Sequence, residues 1–411
     1  MGIRFLNFIL IFALWESQDS FGQNQSIYYQ GQKDSLYSEI LGENRPLLIY
    51  LPQSTRGLTM GNTPSPVVYM LDANSQFSIT TQILKQLSFD AIPPSIVVGI
   101  VNTNRTRDLT PTHLDSDLSG FDVSLSGGGE AFLDFIEKEL IPYIDQTYNT
   151  TPYRTFIGHS LGGLLSGYAL ATRPPLFNNV ITLDPTTTWD DGILVKKIKA
   201  AAKAGTLAGK GYVFAVADAD PTGNPQTDSL LTSFRIPNEQ VWDLLSERAD
   251  LSFLYKNYPK GSHLDMVIPG IYDGMKFLFS WYADLQLEII DAADPMLGSN
   301  KTTEELIGSI ESIYLRMSER FGYKVKPQED LINSLGYWSM QAGDLERSQA
   351  LFAMNVANYP ESANVYDSMG DYFVAAGNEK EAIRFFKEAL KRDENAGTRE
   401  KLEDLENSSQ D

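Results

Sequence analysis

From residue 46 to about residue 283, short runs of β-branched and aromatic residues alternate with longer stretches whose apolar positions recur every three or four residues. Alternation of this kind predicts a mainly parallel sheet with helices on both faces, an α/β architecture. The strands expected are 47–51, 67–71, 96–101, 154–157, 180–183, 212–217 and 251–255. Between them, Phe132, Phe135, Ile136 and Leu140 fall on one face of a helix expected over 131–147. The stretch 102–130 breaks the pattern: it is polar, rich in Thr, Asp, Ser and Gly, and ends in Gly127-Gly128-Gly129. A loop of that length inside a compact domain is usually functional.

After Trp281 the chain turns to Glu, Lys, Ala and Leu, and Asp294-Pro295 with Gly298-Ser299-Asn300 marks a linker. Beyond it a repeat emerges. Leu335-Gly336, Gly343, Phe352 and Pro360 align with Met369-Gly370, Gly377, Phe386 and Glu394 at a constant offset of 34, as 369 − 335 and 386 − 352 both show. That period, with Ala382 and Ala389 where two helices approach closely, resembles the tetratricopeptide repeat, a helix-turn-helix unit, although Ile332 and Ser348 depart from its pattern. Two units are few for a solenoid, so 302–321 and 398–405 are expected to pack as flanking helices.

At the other end, Arg4, the apolar run from Phe5 to Trp15 and Ser20-Phe21-Gly22 have the order of a secretory leader, and the run is too short to span a bilayer. The expected organisation is a signal peptide over 1–22, a catalytic domain over 23–290, a linker over 291–300 and a helical domain over 301–411. With no cysteine in 411 residues, disulfides, thiolate metal sites and a cysteine nucleophile are excluded. Export without disulfides points to a bacterial envelope, periplasmic or extracellular. A net charge of −20 opposes nucleic-acid binding, because most of the surface repels phosphate.

Candidate chemistry centres on Gly158-His159-Ser160-Leu161-Gly162-Gly163, which fits G-x-S-x-G. The glycines allow the sharp strand-to-helix turn that exposes a serine hydroxyl, and the flanking segments read as the required strand and helix. Ser160 is therefore the candidate nucleophile of an α/β-hydrolase fold. It needs a base, and the chain has three histidines, His113, His159 and His263. His159 lies on the turn itself, in a packing or orienting role. His113 precedes the serine and breaks the Ser, acid, His chain order, whereas His263 follows the last expected strand. The acid is expected between them, just beyond a strand. Asp220 leads, Asp218 is the alternate, and Asp184 after the preceding strand ranks behind both. The oxyanion donors expected are the backbone amides of Leu161 and of Asp72 or Ala73, with side chains that need not matter. Scattered histidines give no zinc spacing and no phosphate-cradling or dinucleotide glycine pattern occurs, so neither metal nor cofactor is implied.

Four segments resemble an esterase family that includes ferric enterobactin, feruloyl and acetylxylan esterases, S-formylglutathione hydrolases and mycolyltransferases. They are Pro66-Val67-Val68-Tyr69-Met70-Leu71-Asp72, Arg105-Thr106-Arg107-Asp108-Leu109-Thr110-Pro111, Phe135-Ile136-Glu137-Lys138-Glu139-Leu140-Ile141-Pro142-Tyr143 and the Gly158–Gly163 turn. The likeness spans roughly residues 28 to 285. It implies a Ser160, Asp220, His263 triad and a pocket bordered by the Arg107 loop, with Asp218 left open. Arg105, Arg107 and His113 are the candidates for contact with substrate, and a salt bridge to Asp108 competes for one of the arginines. The expected activity is hydrolysis of a small-molecule or glycan-linked carboxylic ester. The alternatives are acyl transfer at the same site, or a scaffold whose helical repeats bind a protein partner or self-associate.

Overall fold

In the computed structural model, residues 31–52, 64–116, 122–218, 223–293, 300–394 and 396–408 are described. The leader expected over 1–22 and the candidate acid Asp220 lie outside them. Eight strands form one sheet: β1 (Gln32–Ser38), β2 (Glu43–Tyr50), β3 (Ser65–Met70), β4 (Ile96–Ile100), β5 (Thr150–His159), β6 (Asn179–Leu183), β7 (Gly211–Asp218) and β8 (Ser252–Pro259). Their order is β1-β2-β4-β3-β5-β6-β7-β8. From β4 to β8 neighbouring strands run parallel, while β1 and β2 add an antiparallel edge. All seven expected strands are present. β1 is the one not expected, because Gln-Lys-Asp-Ser-Leu-Tyr-Ser carries no apolar run and bonds only to β2 at the sheet's edge.

Central strands β3, β4 and β6 are buried at every position, as a parallel sheet covered on both faces requires. One face packs Phe132, Leu133, Phe135, Leu164, Leu165 and Leu194 against the strands, and the other Phe77, Leu84, Ile271 and Met275. The helix expected over 131–147 is a helix Gly129–Phe135, a π turn Ile136–Leu140 and a helix Ile141–Thr147 in succession. At the π turn the Ile141 amide donates to the Ile136 carbonyl, five residues back, so the register slips just before Pro142, which has no N–H to give.

Charge holds the start of the expected loop. Arg45, fully buried in β2, donates through Nη1 to Asp108 Oδ2 at 2.7 Å and Glu43 Oε1 at 2.8 Å, and lies 5.0 Å above the Phe132 ring. Asp108 belongs to the short helix Arg105–Leu109. The 102–130 stretch is thereby pinned to β2 at its start.

Helix Ser280–Ala293 runs three residues into the stretch read as linker. Helix Thr303–Phe321 follows, opened by a capping box in which Thr302 and Glu305 satisfy each other's backbone amides. Two helix pairs come next, Glu329–Gln341 with Leu345–Asn358 and Ala363–Ala375 with Glu379–Leu390, and 363 − 329 and 379 − 345 both give 34. In each pair a glycine sits beneath a phenylalanine ring. A Cβ on Gly336 would lie 2.5 Å from Phe352, and one on Gly370 2.4 Å from Phe386. Phe321 joins this helical region to the sheet, edge-on to Tyr153 of β5 at 4.9 Å and to Trp281 at 4.8 Å.

Candidate active site

Ser160 occupies the turn between β5 and the helix Leu161–Thr172 with φ 61° and ψ −118°, a conformation that side-chain-bearing residues rarely adopt. Gly158 makes the turn possible: a Cβ there would stand 2.0 Å from the Gly162 carbonyl oxygen. The turn is bonded to the end of the neighbouring strand, the Ser160 amide donating to Leu183 O at 2.9 Å and the Thr186 amide to Ser160 O at 3.2 Å. An open cleft of about 330 Å³ lies over the serine, lined by Asp72, Gln76, Asn102, Arg105, His159 and His263 among others.

His263 enters that cleft from the loop after β8. Its Nδ1 lies 2.5 Å from Asp184 Oδ2, and since a carboxylate only accepts, Nδ1 carries the proton and Nε2 is left with the lone pair. The other oxygen, Asp184 Oδ1, accepts from the Ala217 amide at 3.0 Å, so the carboxylate is held from two sides. The carboxylate against the imidazole is Asp184, while Asp218 Oδ2 accepts from the side-chain Nδ2 of Asn257 at 2.9 Å. The physical reason is strand adjacency: β6 borders β5, and Asp184 leaves β6 next to the serine turn, while Asp218 leaves β7 one strand further out.

Two helices begin at the cleft, Ala73–Leu87 after Asp72 and Leu161–Thr172 after Ser160. Their first amides, Ala73 and Leu161, have no helical carbonyl to bond and sit at the positive ends of the helix dipoles. Asp72 itself has φ 54°, and its side chain is engaged, contrary to the expectation that it need not matter. Arg105 grips it bidentately, Nε to Oδ1 at 2.7 Å and Nη2 to Oδ2 at 3.0 Å, and Asn102 Nδ2 adds a bond of 2.6 Å. Arg105 Nη2 also reaches the His159 carbonyl at 3.3 Å, which ties the end of β3 to the serine turn.

Of the candidates for substrate contact, Arg105 lines the cleft but spends its fork on Asp72. Arg107 does not line it: its guanidinium is held by Glu43 Oε1 at 2.6 Å and Asp108 Oδ1 at 2.7 Å. His113 stands apart as well, its Nδ1 donating to Ser126 O at 3.1 Å.

The sequence profile of the family described as Putative esterase matches residues 38–219. Among curated proteins, the ferri-bacillibactin esterase BesA of Bacillus subtilis is 34% identical over 148 residues, covering 32% of this chain and 51% of BesA. The siderophore triacetylfusarinine C esterase of Aspergillus fumigatus is 29% identical over 153 residues, covering 34% and 50%. The chain thus spans about half the length of the curated relatives it matches. Among solved structures, an uncharacterised protein from Capnocytophaga ochracea shares the fold at TM-score 0.56 and 17% identity, over 92% of this chain and 99% of that one, so the shared architecture continues into the helical region. An IroE-like serine hydrolase from Shewanella oneidensis superposes with TM-score 0.65 at 31% identity, over 79% of this chain and 98% of its own. That near-complete match, joined to the profile across the sheet and the serine turn, makes the chain a member of the Putative esterase family of the α/β-hydrolase superfamily.

Proposed function

We propose that the protein hydrolyses carboxylic esters through an acyl-serine intermediate, with Ser160 as nucleophile, His263 as general base and Asp184 as the acid that orients it. The observation that carries this reading is the strained Ser160 turn sharing one cleft with an imidazole whose Nδ1 proton is committed to Asp184. Ser160 Oγ attacks the ester carbonyl as its proton passes to His263 Nε2. Charge gathers on the carbonyl oxygen and is met by the Leu161 and Ala73 amides at the two helix ends. His263 then returns the proton to the departing alcohol. Water, deprotonated by the same imidazole, attacks the acyl group, and the acid leaves with Ser160 regenerated.

The substrate class we assign is the ester linkage of a siderophore, on the strength of relatives named for ferri-bacillibactin and triacetylfusarinine C. A cleft with Asn74, Ser75, Asn102 and Arg105 in its wall suits a polar substrate of that kind. The helical region we read as a tetratricopeptide-like pair with flanking helices, supported by the 34-residue period and the matching Gly336–Phe352 and Gly370–Phe386 contacts.

The experiment is hydrolysis of p-nitrophenyl acetate, and then of ferri-bacillibactin against a feruloyl ester, by wild type and by Ser160→Ala, His263→Ala, Asp184→Asn, Asp218→Asn and Asp220→Asn. Activity is expected to vanish in the first two and to fall by up to about 10⁴-fold in kcat for Asp184→Asn. Full activity in Ser160→Ala would overturn the mechanism, and a loss confined to Asp220→Asn would move the acid there.

A further inference from the structure

The backbone of His263 is held by a residue that the mechanism above does not use. His159 Nε2 lies 2.8 Å from the His263 carbonyl oxygen. A carbonyl only accepts, so this nitrogen carries the ring proton and Nδ1 is left as acceptor. The Gln76 side-chain nitrogen stands 3.3 Å from Nδ1 and donates to it. The two imidazoles are 4.4 Å apart between centroids and tilted by 40°. His159 is buried, at 4% exposure, and Gln76 lies in the first turn of the helix that starts beside Asp72. A hydrogen-bonded line therefore runs from that helix through His159 to the loop bearing His263, and from His263 to Asp184.

We propose that His159 is a positioning residue for His263, fixing through its Nε2–H the backbone of the loop that carries the general base, with Gln76 selecting the tautomer. The proposal rests on the reading of Ser160 and His263 as nucleophile and base. The His263 side chain is half exposed, packed against the His159 ring on one side, and the bond to its carbonyl restrains the backbone from which the imidazole projects. The absence of charge on His159 belongs to the same device. Burial, then the nearby His263, hold its pKa below the ordinary histidine value, against the opposing effect of its bond to the His263 carbonyl and smaller pulls from Asp184 and Asp72, while Arg105 donates to the His159 carbonyl. A cation there would oppose the imidazolium that forms on His263 during attack. A neutral ring supplies the donor without that repulsion.

With three histidines in the chain, imidazole nitrogen spectra of labelled protein are few enough to assign. The wild type is expected to show His159 as the neutral Nε2–H tautomer and a far-downfield Nδ1 proton on His263. His159→Phe, which fills the space but donates nothing, is expected to lose that proton signal and about 100-fold in kcat, with KM changed less than about threefold. His159→Gln, which presents an N–H to the same carbonyl, is expected to keep the signal and activity within about tenfold of wild type. An Nδ1–H tautomer for His159, or a folded Phe variant with wild-type kcat and an undisturbed His263 signal, would overturn the proposal. If the Phe variant does not fold, the wild-type tautomer and the Gln variant decide it. Ser160→Ala with full activity would instead remove the esterase reading, and the two spectral signatures would still judge the bridge.

Discussion

Ser160, Asp72 and Asp184 hold φ values of 61°, 54° and 40° without being glycine, and they follow β5, β3 and β6, three adjacent strands. Backbone strain of this kind costs roughly 1–3 kcal/mol per residue and persists where surrounding bonds over-determine it. The Arg105 and Asn102 grip on Asp72 and the Ala217 bond to Asp184 are such bonds. Ser160→Gly is accordingly expected to unfold at higher urea than Ser160→Ala, by about 1 kcal/mol, although both lack the hydroxyl. Equal stabilities would mean that the turn carries no strain. This scale was also where the sequence spoke least clearly. Ser160 and His263 stand out by motif and by elimination, but Asp184, Asp218 and Asp220 all follow apolar strands. Choosing among them needs the order of strands in the sheet, which no local pattern carries. The contacts of His159 and Asp72 were hidden for the same reason, since their partners lie 104 and 33 residues away.

Elements of the chain were legible wherever apolar periodicity was strong. The seven buried or half-buried strands follow from it, and so does the 34-residue repeat, because a glycine must recur wherever a phenylalanine ring presses on a helix backbone. β1 was not legible, since a polar edge strand is specified by its partner's hydrogen bonds and not by its own side chains. Nor was the π turn, which conserves the apolar face while shifting the register by one residue. Glycines in the helical region lead to opposite expectations. Gly370→Ala drives a methyl into the buried Phe386 ring and is expected to cost about 1–3 kcal/mol. Gly308→Ala, in the middle of Thr303–Phe321 with nothing within 4 Å of the new carbon, is expected to stabilise by about 0.5–1 kcal/mol. Chemical denaturation of the two variants side by side checks both signs.

Across the whole molecule, acidity and folding meet at Glu43. Hydrogen bonds from Arg107, together with those from Thr103 and Arg45, bring its carboxyl down to about 2 against the opposing effect of burial. A folded-state value below the unfolded one means that the stabilisation is complete above the ordinary 4.5 and is lost as pH falls towards 2. Glu43→Gln is expected to be less stable than wild type at pH 7 and to show a flatter stability profile across that acid window, measured by thermal unfolding at stepped pH. A parallel slope in the two proteins would assign the acid sensitivity elsewhere.

Tyr153 and Ser160 are seven positions apart on the same stretch of chain, about 23 Å along an extended strand. Phe321 braces the first against the helical region, and the cleft opens over the second, lined among the described residues by none beyond Leu264. β5 thus gives the molecule a front and a back. Among the described residues, a contact made on the rear helices would therefore fall at the far end of β5 from the serine turn.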